Sequence, residues 1–415
     1  MSEVREKAKL AGTAVSVLNR LTTAQKNDAL LAVADALVRN SDAILAANEE
    51  DLQRGRDNGT SSSLLDRLAL THARIEGIAE GLRQIVELPD PVGDVMETIN
   101  RPNGLHIIKR RVPLGVIGIV YEARPNVTVD AMGLCLKTGN AVVLRGGSSA
   151  LSSNRQILKI IHEALAGTQV PVDAVQLIED PNRASVDEML KLNGLLDVVI
   201  PRGGSSLIQT VVQNATVPVI ETGAGICHTY LDASADPVMA TEIAMNAKVQ
   251  RPSVCNSMET LLVHEAFAAQ HLLELANRFK EAGVELRGDE AARQLISWAV
   301  PATDEDYATE YNDYILNVKI VRNLDEAMAH IARFGTKHSE CIVTQDSANA
   351  ERFQQEVDAA AVYHNASTRF TDGFEFGFGA EIGISTQKLH ARGPMGLTAL
   401  TSSKYIIQGN GQIRQ

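Results

Sequence analysis

The sequence predicts two α/β domains in tandem, each built on a parallel sheet with helices on both faces. From residue 116 onward, short apolar runs typical of strands buried on both faces alternate with helical stretches. The runs are 116–120, 141–144, 174–178, 198–200 and 217–220, and a second series after Pro237 at 260–263, 315–321, 340–344 and 360–363. Strands that alternate with helices indicate a parallel sheet, and we expect a cleft between the two domains.

The segment before this core has a different pattern. Apolar residues recur at a spacing of three to four behind Thr22 and Thr23, which predicts helices over most of the first 90 residues. Two short alternating runs, 95–100 and 105–112, then flank Asn103-Gly104. Because Asn-Gly is a strong signal for a tight turn between strands, we expect a hairpin there.

Length, charge and cysteine usage exclude several classes of protein. A chain of 415 residues is long enough for two or three domains. Its formal net charge of −12, with no basic run longer than residues 109–111, argues against a nucleic-acid binder. No stretch predicts a signal peptide or a membrane span, so a cytoplasmic location is the default. Four widely separated cysteines predict reduced thiols, and no metal-ligand spacing is present, so we expect no metal site.

One short pattern of strand, tight turn and helix occurs twice. The two copies are Arg145-Gly146-Gly147-Ser148 and Arg202-Gly203-Gly204-Ser205. Glycines let backbone N–H groups approach an anion, serine caps a helix, and the start of a helix carries partial positive charge. Each copy could therefore bind a phosphate, and two copies in one sheet favour a dinucleotide. The alternative for either copy is a strand-to-helix turn that holds no ligand.

Arg145 also bears on the choice of cofactor. The sequence has no GxGxxG fingerprint after a strand, so the dinucleotide must be held in another way. After the predicted strand 141–144 comes Arg145, and no acidic residue follows before Glu163. A carboxylate near that strand end usually selects the unphosphorylated ribose of NAD, so Arg145 indicates the 2′-phosphate of NADP.

Cys255 is the candidate nucleophile. It lies between an amphipathic helix predicted from Pro237 and a following strand, beside Arg251 and polar side chains that favour a thiolate. The alternative is a structural thiol, which is the commoner role of a cysteine. Cys135 and Cys341 lie in apolar runs and fit that alternative.

Asn126 is the candidate oxyanion donor. It follows the first core strand at its carboxyl end, where ligand-contacting residues of open α/β sheets gather. Its amide could donate to an oxyanion. The alternative is a cap for the helix predicted at 127–136, which asparagine provides well.

The order of these parts resembles the aldehyde dehydrogenase superfamily. The run 115–149 carries its strand, its Pro-Asn loop at Asn126, its helix and its strand with a basic end. Glu221 resembles the glutamate of the family's glutamate-glycine strand end, Cys255 falls at its nucleophile, and Glu310 matches its ribose-contacting glutamate. The resemblance implies an aldehyde dehydrogenase-like fold of two three-layer α/β/α domains with parallel-type sheets and a small β element for oligomerisation. We expect an NADP-binding domain at 1–236, a catalytic domain at 237–371, and a return segment with a carboxyl-terminal oligomerisation strand at 372–415.

Within the superfamily, the chain is similar to enzymes that reduce an acyl phosphate. The segments that carry this resemblance are 121–126, 221–228, 250–256, 365–369, 376–386 and 391–396. The resemblance implies reduction of L-glutamate 5-phosphate by NADPH to L-glutamate 5-semialdehyde and phosphate, the second step from glutamate to proline. It implies a thioester on Cys255, with Asn126 and the Cys255 backbone N–H stabilising the oxyanion.

The resemblance also assigns binding residues. Cofactor contacts fall on both glycine turns and two glutamates, namely Arg145, Gly146, Gly147, Ser148, Gly203, Gly204, Ser205, Glu221 and Glu310. Arg124, Arg251 and Asn365 are assigned to the substrate. Both arginines add positive charge where hydrolytic members of the superfamily lack it, which suits a substrate with a carboxylate and a phosphate.

The sequence also raises expectations about oligomerisation, about a protein partner and about alternative activities. The hairpin at 95–112 and the tail 402–415 resemble the family's oligomerisation strands and predict a homo-oligomer, the alternative being a satellite sheet within one subunit. Contact with glutamate 5-kinase, which makes the unstable acyl phosphate, would be chemically sensible. A hydrolytic aldehyde dehydrogenase acting on a small semialdehyde stays an alternative. Two further alternatives are a hydrolase that pairs Cys255 with His264 or His228, and a nucleotide-binding scaffold that needs no reactive thiol.

Overall fold

The chain divides into two compact units. The computed structural model describes residues 2–122 and 124–414, without the side chains of Ser62, Ser63 and Ser205. Unit 1 consists of Met1–Glu221, Gly377–Gly383 and Met395–Gln415, and unit 2 consists of Thr222–Phe376 and Ile384–Pro394. Residues 222–236, which the sequence analysis groups with the first domain, therefore pack in unit 2.

Unit 1 begins with helices, as the apolar spacing predicts. They are Glu3–Leu18, Thr23–Arg39, Ser41–Asp57, Ser62–Leu68 and His72–Glu87. The second helix starts with a capping box, in which the Thr22 side chain accepts from the Gln25 N–H and the Gln25 side chain accepts from the Thr22 N–H. Leu30, Val33 and Leu37 are buried along one face of that helix. The predicted start signal is confirmed, and most of the apolar positions predicted for this helix are buried, whereas Leu31 is exposed.

The core of unit 1 is a four-stranded parallel sheet. Its strands are, in order across the sheet, Val175–Leu177, Ala141–Gly146, Val116–Tyr121 and Val198–Arg202. The helices that follow the hairpin in unit 1 are Asn126–Lys137, Leu151–Leu165, Arg183–Met189 and Ser205–Asn214, with 3-10 turns at Ser148–Ala150, Val172–Ala174 and Leu397–Leu400. The two central strands are buried at every residue, which explains their continuous apolar runs.

The predicted strand at 217–220 is wrong. This segment makes a single bridge, between Val199 and Val219, beside the edge strand Val198–Arg202. Pro218 accepts a hydrogen bond from the Val199 N–H but has no N–H of its own to continue a ladder.

A three-stranded antiparallel sheet also belongs to unit 1. Its central strand, His106–Pro113, pairs with Val95–Asn100 on one side and Thr401–Gln408 on the other. Gly104 in the connecting turn has φ of +87°, in the left-handed region that glycine adopts without strain. The predicted hairpin is confirmed, and its central strand also pairs with the carboxyl-terminal tail of the same chain.

Unit 2 is built on a seven-stranded parallel sheet. In order across the sheet, its strands are Val300–Pro301, Glu285–Gly288, Ile315–Val321, Met258–His264, Cys227–Leu231, Ser339–Val343 and Ala361–His364. Its helices are Pro237–Val249, Glu265–Phe267, Leu273–Glu281, Glu290–Leu295, Asp304–Tyr307, Leu324–Phe334 and Ser347–Glu356. A π-helical turn lies at Ala268–Leu272, a 3-10 turn at Thr368–Phe370, and a small two-stranded sheet at Ile384–Ser385 and Gly393–Pro394. The four strands predicted after Pro237 are all present.

The described residues contain neither a candidate membrane span nor a candidate metal site. In the parts of the chain that the structure describes, no helix has the length and apolar character to cross a membrane. Among residues 2–122 and 124–414, no three His, Cys, Asp or Glu side chains form a group that could hold a metal ion.

Candidate active site

Cys255 lies in a short turn at the amino-terminal edge of the seven-stranded sheet of unit 2. The helix Pro237–Val249 leads into this turn and is capped by Asp236, whose carboxylate accepts from the Met239 N–H at 2.8 Å. The strand Met258–His264 follows the turn. Cys255 therefore lies between a helix and a strand, as the sequence predicts, and its side chain is half-buried.

The peptide that follows Cys255 is held from the neighbouring strand. A Cβ atom placed on Gly225 would lie 1.5 Å from the Cys255 carbonyl oxygen, so only glycine fits there. The Cys227 thiol donates to the same carbonyl oxygen at 3.2 Å. Burial raises the pKa of Cys227 far above its ordinary value, which keeps this thiol protonated as a donor. His338, with Nδ1 3.7 Å from the Cys227 sulfur, has its pKa lowered to about 4 by burial and is neutral at pH 7.

The residues after Cys255 are fixed as well. The Asn256 side chain donates to the carbonyl oxygens of Thr371, at 2.9 Å, and of Arg369, at 3.3 Å. The Asn256 carbonyl oxygen accepts from the Thr368 hydroxyl at 2.7 Å. These bonds give the turn a defined backbone, which is what a nucleophile on a loop requires.

Two arginines surround this turn with positive charge. Arg251 is exposed. Arg369 donates to the Gln250 side chain at 2.8 Å and interacts electrostatically with both Arg251 and Cys255. Burial and then Arg251 lower the pKa of Arg369, whereas Asp372 and Cys255 raise it. A nearby cation favours a thiolate. No pattern in the sequence assigns a role to Arg369, because nothing local in its segment indicates that the chain returns to the cysteine.

Glu310 also lies near the turn at Cys255. Its carboxylate accepts from the Gly225 N–H at 2.8 Å, and Gly225 is the residue that packs on the Cys255 carbonyl. Three of the site residues predicted from the sequence, Cys255, Arg251 and Glu310, therefore lie around one turn of unit 2.

Asn365 is not brought to this turn. Its side chain accepts from the Thr344 N–H at 2.9 Å and donates to the Thr344 carbonyl at 3.0 Å, at the carboxyl edge of the sheet. Ala361, at the other end of the strand that precedes Asn365, pairs with Ser339 at the amino-terminal edge. Four residues of strand span about 13 Å. The assignment of Asn365 to the substrate therefore stays a prediction, and in the structure its amide completes the hydrogen bonds of the sheet at Thr344.

The histidines of the hydrolase alternative also lie elsewhere. His264 ends the strand that begins at Met258, roughly 20 Å along the strand from the Cys255 turn, and its Nδ1 accepts from the Ala266 N–H. His228 is buried and its Nδ1 lies 2.9 Å from a carboxylate oxygen of Glu340. The partners of His264 and His228 do not support a cysteine-histidine pair at Cys255.

In unit 1, Asn126 is the first residue of the helix Asn126–Lys137. Pro125 occupies the cap position, so the alternative of Asn126 as the cap is wrong. The Asn126 side-chain NH₂ donates to the Asp130 carboxylate at 2.9 Å. Burial raises the pKa of Asp130 to about 6, although Asn126 and Arg202 both oppose that rise. Arg124, which precedes this helix, is exposed, and Ala123 lies outside the described residues.

The first glycine turn is supported from inside the protein. Arg145 is 7% exposed, and its guanidinium donates to the carbonyl oxygens of Gly146, Pro181 and Asn182 and to the Ser185 hydroxyl, at 2.6 to 3.2 Å. A Cβ on Gly146 would lie 2.4 Å from the Asn154 side chain, so that glycine is required by packing. Ser148 begins a 3-10 turn that leads into the helix Leu151–Leu165 and is exposed.

The second glycine turn contains a carboxylate. The Gly204 N–H donates to Glu122 at 2.9 Å, and a Cβ on Gly203 would lie 2.7 Å from the same carboxylate. Gly147 is half-buried, whereas Gly203 and Gly204 are exposed. The side chain of Ser205 lies outside the described residues. Glu221, the last residue of the first segment of unit 1, is half-buried.

Comparisons with known proteins agree with this architecture. The model of the aldehyde dehydrogenase family matches residues 1–295. The γ-glutamyl phosphate reductase 1 of Bacillus licheniformis is 57% identical over 414 residues, and that of Bacillus subtilis is 56% identical over 415 residues; both alignments cover 100% of this chain and of the relative. The crystal structure of γ-glutamyl phosphate reductase from Thermotoga maritima has a TM-score of 0.98 at 49% identity and covers 100% of both chains.

These matches confirm the fold class that the alternating strands and helices predict. They extend over the whole chain, including the turn at Cys255 and the three-stranded sheet with the carboxyl-terminal strand. The chain belongs to the aldehyde dehydrogenase family and, within it, to the γ-glutamyl phosphate reductases.

Proposed function

We propose that the chain reduces L-glutamate 5-phosphate with NADPH to L-glutamate 5-semialdehyde and phosphate, the second step from glutamate to proline. The names of the full-length relatives support this substrate. The observation that carries the mechanism is the turn at Cys255, whose backbone is held by Gly225, Cys227 and Asn256 while the side chain stays half-buried beside two arginines.

The chemistry of Cys255 follows from this environment. The thiolate attacks the acyl carbon, a C–S bond forms, and the bond between the acyl carbon and the phosphate oxygen breaks, which leaves a thioester and releases phosphate. The positive charge of Arg369 and Arg251 favours the thiolate and suits an anionic substrate. When bound, the reduced nicotinamide supplies the hydride for the reduction. Breaking the C–S bond after this reduction returns the Cys255 thiolate and releases the aldehyde.

Two donors are proposed for the oxyanion. The backbone N–H of Cys255 belongs to a turn with a fixed backbone, which suits a preorganised donor. Asn126 supplies the other donor in this proposal. One proton of its side-chain NH₂ is used by Asp130, and an amide NH₂ has a second one to offer. Asp130 would then set the orientation of the donor.

The two glycine turns differ in how well they fit a dinucleotide. Gly147 and Ser148 stand at the start of a helical segment that continues to Leu165, an arrangement that fits a phosphate. The Gly204 N–H of the second turn already donates to Glu122. We therefore propose the first turn as the phosphate site and Glu310 as a ribose contact. Selection of NADPH by Arg145 stays a prediction, because the described guanidinium bonds go to protein oxygens.

The reverse reaction tests this proposal. We expect NADPH to form from NADP when glutamate 5-semialdehyde and phosphate are both supplied, and formation to stop when phosphate is omitted. Cys255→Ala should abolish NADPH formation, since no thioester can form. Cys135→Ala, which removes a buried thiol from a helix of unit 1, is the matched control and should keep the reaction.

A hydrolytic aldehyde dehydrogenase would behave differently in the same assay. It would form NADPH from the semialdehyde without phosphate and release free glutamate, because water is then the acyl acceptor. Phosphate-independent NADPH formation that still needs Cys255 would replace the proposed reaction with this alternative. NADPH formation that survives Cys255→Ala would contradict both.

The three-stranded sheet supports a proposal on assembly. Its two outer strands carry exposed apolar side chains, among them Val95, Met96 and Ile407, and each outer strand has an open edge that could pair with another chain. We propose a homo-oligomer built through this sheet. Light scattering should give a mass above the 44.7 kDa of one chain, and Ile407→Lys should lower it.

Two further parts of the proposal are a cytoplasmic location and a protein partner. None of the described cysteines forms a disulfide, which suits the reducing cytoplasm proposed for this reaction. Contact with glutamate 5-kinase is proposed on the instability of the acyl phosphate alone. Co-sedimentation of the two purified proteins tests it.

A further inference from the structure

A buried ion pair joins the two sides of the turn that holds Cys255. Lys248 is the penultimate residue of the helix before the turn, and Glu259 is the second residue of the strand after it. Both side chains are fully buried, and Lys248 Nζ lies 2.8 Å from Glu259 Oε2. The ion pair therefore closes the segment 249–258, which contains Cys255, at its base.

A second bond joins the same helix and strand. The Ser257 hydroxyl donates to the Ala247 carbonyl oxygen at 3.2 Å, and both residues are buried. Ala247 directly precedes Lys248, and Ser257 lies two positions before Glu259. The two bonds together hold the end of the helix at a fixed distance from the start of the strand, so the turn between them has fixed ends.

Glu259 also holds a loop from a distant part of the chain. Its other carboxylate oxygen, Oε1, accepts from the Asn312 N–H at 3.1 Å. Asn312 has φ of +54°, in the left-handed region that residues other than glycine adopt only at a cost. Such a backbone persists where surrounding contacts hold it, and the bond to Glu259 is a contact of this kind.

The loop that Glu259 holds carries Glu310, two residues before Asn312. The Glu310 carboxylate accepts from the Gly225 N–H, and Gly225 packs against the Cys255 carbonyl. Glu259 therefore bears on the turn by two routes. One is the strand that follows the turn, and the other runs through Asn312, Glu310 and Gly225.

The charge of Lys248 keeps both oxygens of Glu259 available as acceptors. Burial raises the pKa of Glu259, Lys248 opposes that rise, and the nearby carboxylate of Glu310 adds to it. Burial lowers the pKa of Lys248, and Glu259 opposes that fall. A protonated Glu259 would carry a hydrogen on one oxygen and could not accept from both Lys248 and Asn312. Each member of the ion pair therefore keeps the other charged.

Net stability does not explain why an ion pair stands here. The cost of taking two charges out of water can exceed their attraction, and apolar side chains of similar volume often replace a buried pair without loss of stability. A charged pair differs from an apolar contact because it fixes the direction and the distance between the two groups. That property is useful where the backbone between them carries a reactive group.

We propose that Lys248 and Glu259 are positioning residues for Cys255 and Glu310. The ion pair fixes the direction of the Cys255 thiol and, through Asn312, the place of the Glu310 carboxylate. The effect on catalysis rests on the proposed function, whereas the effect on the thiol can be measured without any substrate.

The rate at which iodoacetamide alkylates Cys255 tests the position of the thiol. Cys255 is half-buried and the other cysteines are buried, so mass spectrometry should find the label first on Cys255. Lys248→Met breaks the ion pair. We expect it to slow the alkylation by about threefold to tenfold, because the thiol is no longer held beside the arginines that favour a thiolate.

Lys26→Met is the matched control. Lys26 and Asp90 form an ion pair in unit 1 whose side chains are 3% and 7% exposed, so this exchange also leaves a carboxylate inside the protein without its cation. Both variants should have a lower melting temperature than the parent. Only Lys248→Met should slow the alkylation of Cys255, whereas Lys26→Met should react at the parent rate.

A double variant covers the case in which Lys248→Met does not fold. Lys248→Met/Glu259→Leu removes both charges together, so no unpaired charge stays inside the protein and the fold should be kept. It also removes the bond to Asn312. We therefore expect the same slower alkylation of Cys255 in the double variant.

Steady-state kinetics in the NADPH-forming direction extends the test to the reaction. We expect kcat of Lys248→Met to fall about tenfold to a hundredfold, as when a reacting group is displaced by about 1 Å. The KM for the semialdehyde should stay within about twofold, because Arg251 and Arg369 are unchanged. Lys26→Met should alter neither constant.

Three outcomes would overturn the proposal. The first is alkylation of Cys255 at the parent rate in folded Lys248→Met or, in its place, in the folded double variant. The second is equal slowing in Lys26→Met, which would indicate a general loosening of the fold. The third is that neither Lys248 variant folds, which would assign the ion pair to stability. A parent that forms no NADPH contradicts the proposed function alone, because the alkylation rates still decide whether the pair positions the thiol.

Discussion

The two glycine turns of unit 1 have the same sequence, Arg-Gly-Gly-Ser-Ser, and different surroundings. Arg145 of the first turn is buried and donates to three carbonyl oxygens and a hydroxyl, whereas Arg202 of the second turn is half-buried and faces Asp130. In the second turn a carboxylate of the chain, that of Glu122, accepts from the Gly204 N–H.

The difference shows that a phosphate-binding pattern depends on what else reaches the turn. Backbone N–H groups at the start of a helix attract any anion, including one from the same chain. In the second turn that anion is Glu122, which follows the strand Val116–Tyr121 directly. The repeat in the sequence therefore predicts two turns of one shape but cannot predict that one of them is already paired.

The largest expected difference concerns the two arginines. Arg145→Met leaves three carbonyl oxygens and a hydroxyl without their buried donor, so we expect the free energy of unfolding to fall by about 3 kcal/mol. Arg202→Met removes a half-exposed charge near Asp130 and should cost less than about 1 kcal/mol. Urea unfolding followed by circular dichroism measures both. Equal losses would mean that the two arginines have equivalent structural roles.

The glycines give the next largest difference. A Cβ on Gly146 meets the buried side chains of Asn154 and Tyr121 at 2.4 and 3.0 Å, and these cannot move away easily. We expect Gly146→Ala to lower the free energy of unfolding by about 2 kcal/mol, the usual cost of overpacking a core.

Gly203→Ala is the matched substitution in the second turn. Its Cβ would meet the exposed Glu122 carboxylate and the end of the Leu207 side chain, both of which can rotate aside. The expected loss is below about 1 kcal/mol. Urea unfolding measures both losses of stability. A loss for Gly203→Ala larger than that for Gly146→Ala would contradict the packing described for the first turn.

Much of this fold could be predicted from local patterns. The runs at 116–120 and 141–144 are strands buried at every residue, and burial on both faces is what a continuous apolar run signals. The strand Cys227–Leu231 was missed because His228 and Thr229 are polar. Both are nevertheless fully buried, and His228 is accommodated by Glu340, 112 positions later in the chain.

The candidate site also contains residues whose position could be predicted from the sequence and residues whose position could not. Cys255 could be placed because the helix before it and the strand after it are both visible in the sequence. Arg369 and Cys227 could not be connected to Cys255, because their approach depends on how distant strands align in the sheet. Asn365 is a third case, because it belongs to a characteristic segment and yet its side chain bonds Thr344 at the other edge of the sheet.

An aspartate introduced into each glycine turn tests whether only the first turn binds the cofactor. Ser148→Asp puts negative charge where we propose a phosphate of the cofactor, and should raise the KM for NADPH about tenfold through repulsion. Ser206→Asp, on the exposed start of the helix Ser205–Asn214, should change it by no more than about twofold. Steady-state kinetics with varied NADPH measures both. Equal increases would indicate that the second turn also contacts the cofactor.

The last comparison concerns Asp130, the acidic neighbour of Arg202 and Asn126. Burial raises its pKa from 3.8 to about 6, so the folded state holds the proton more tightly than the unfolded chain does. The resulting stabilisation is complete below about pH 4 and is lost as the pH rises through about 6. Asp130→Asn has no proton to lose, so between pH 4 and pH 7 the free energy of unfolding of the parent should fall by about 2 kcal/mol relative to the variant. Urea unfolding at intervals across this range measures the difference. If the free energy of unfolding depends on pH in the same way for the parent and the variant, Asp130 titrates at its ordinary pKa. That result would mean that the positive charge of Arg202 fully offsets the cost of burying the Asp130 carboxylate.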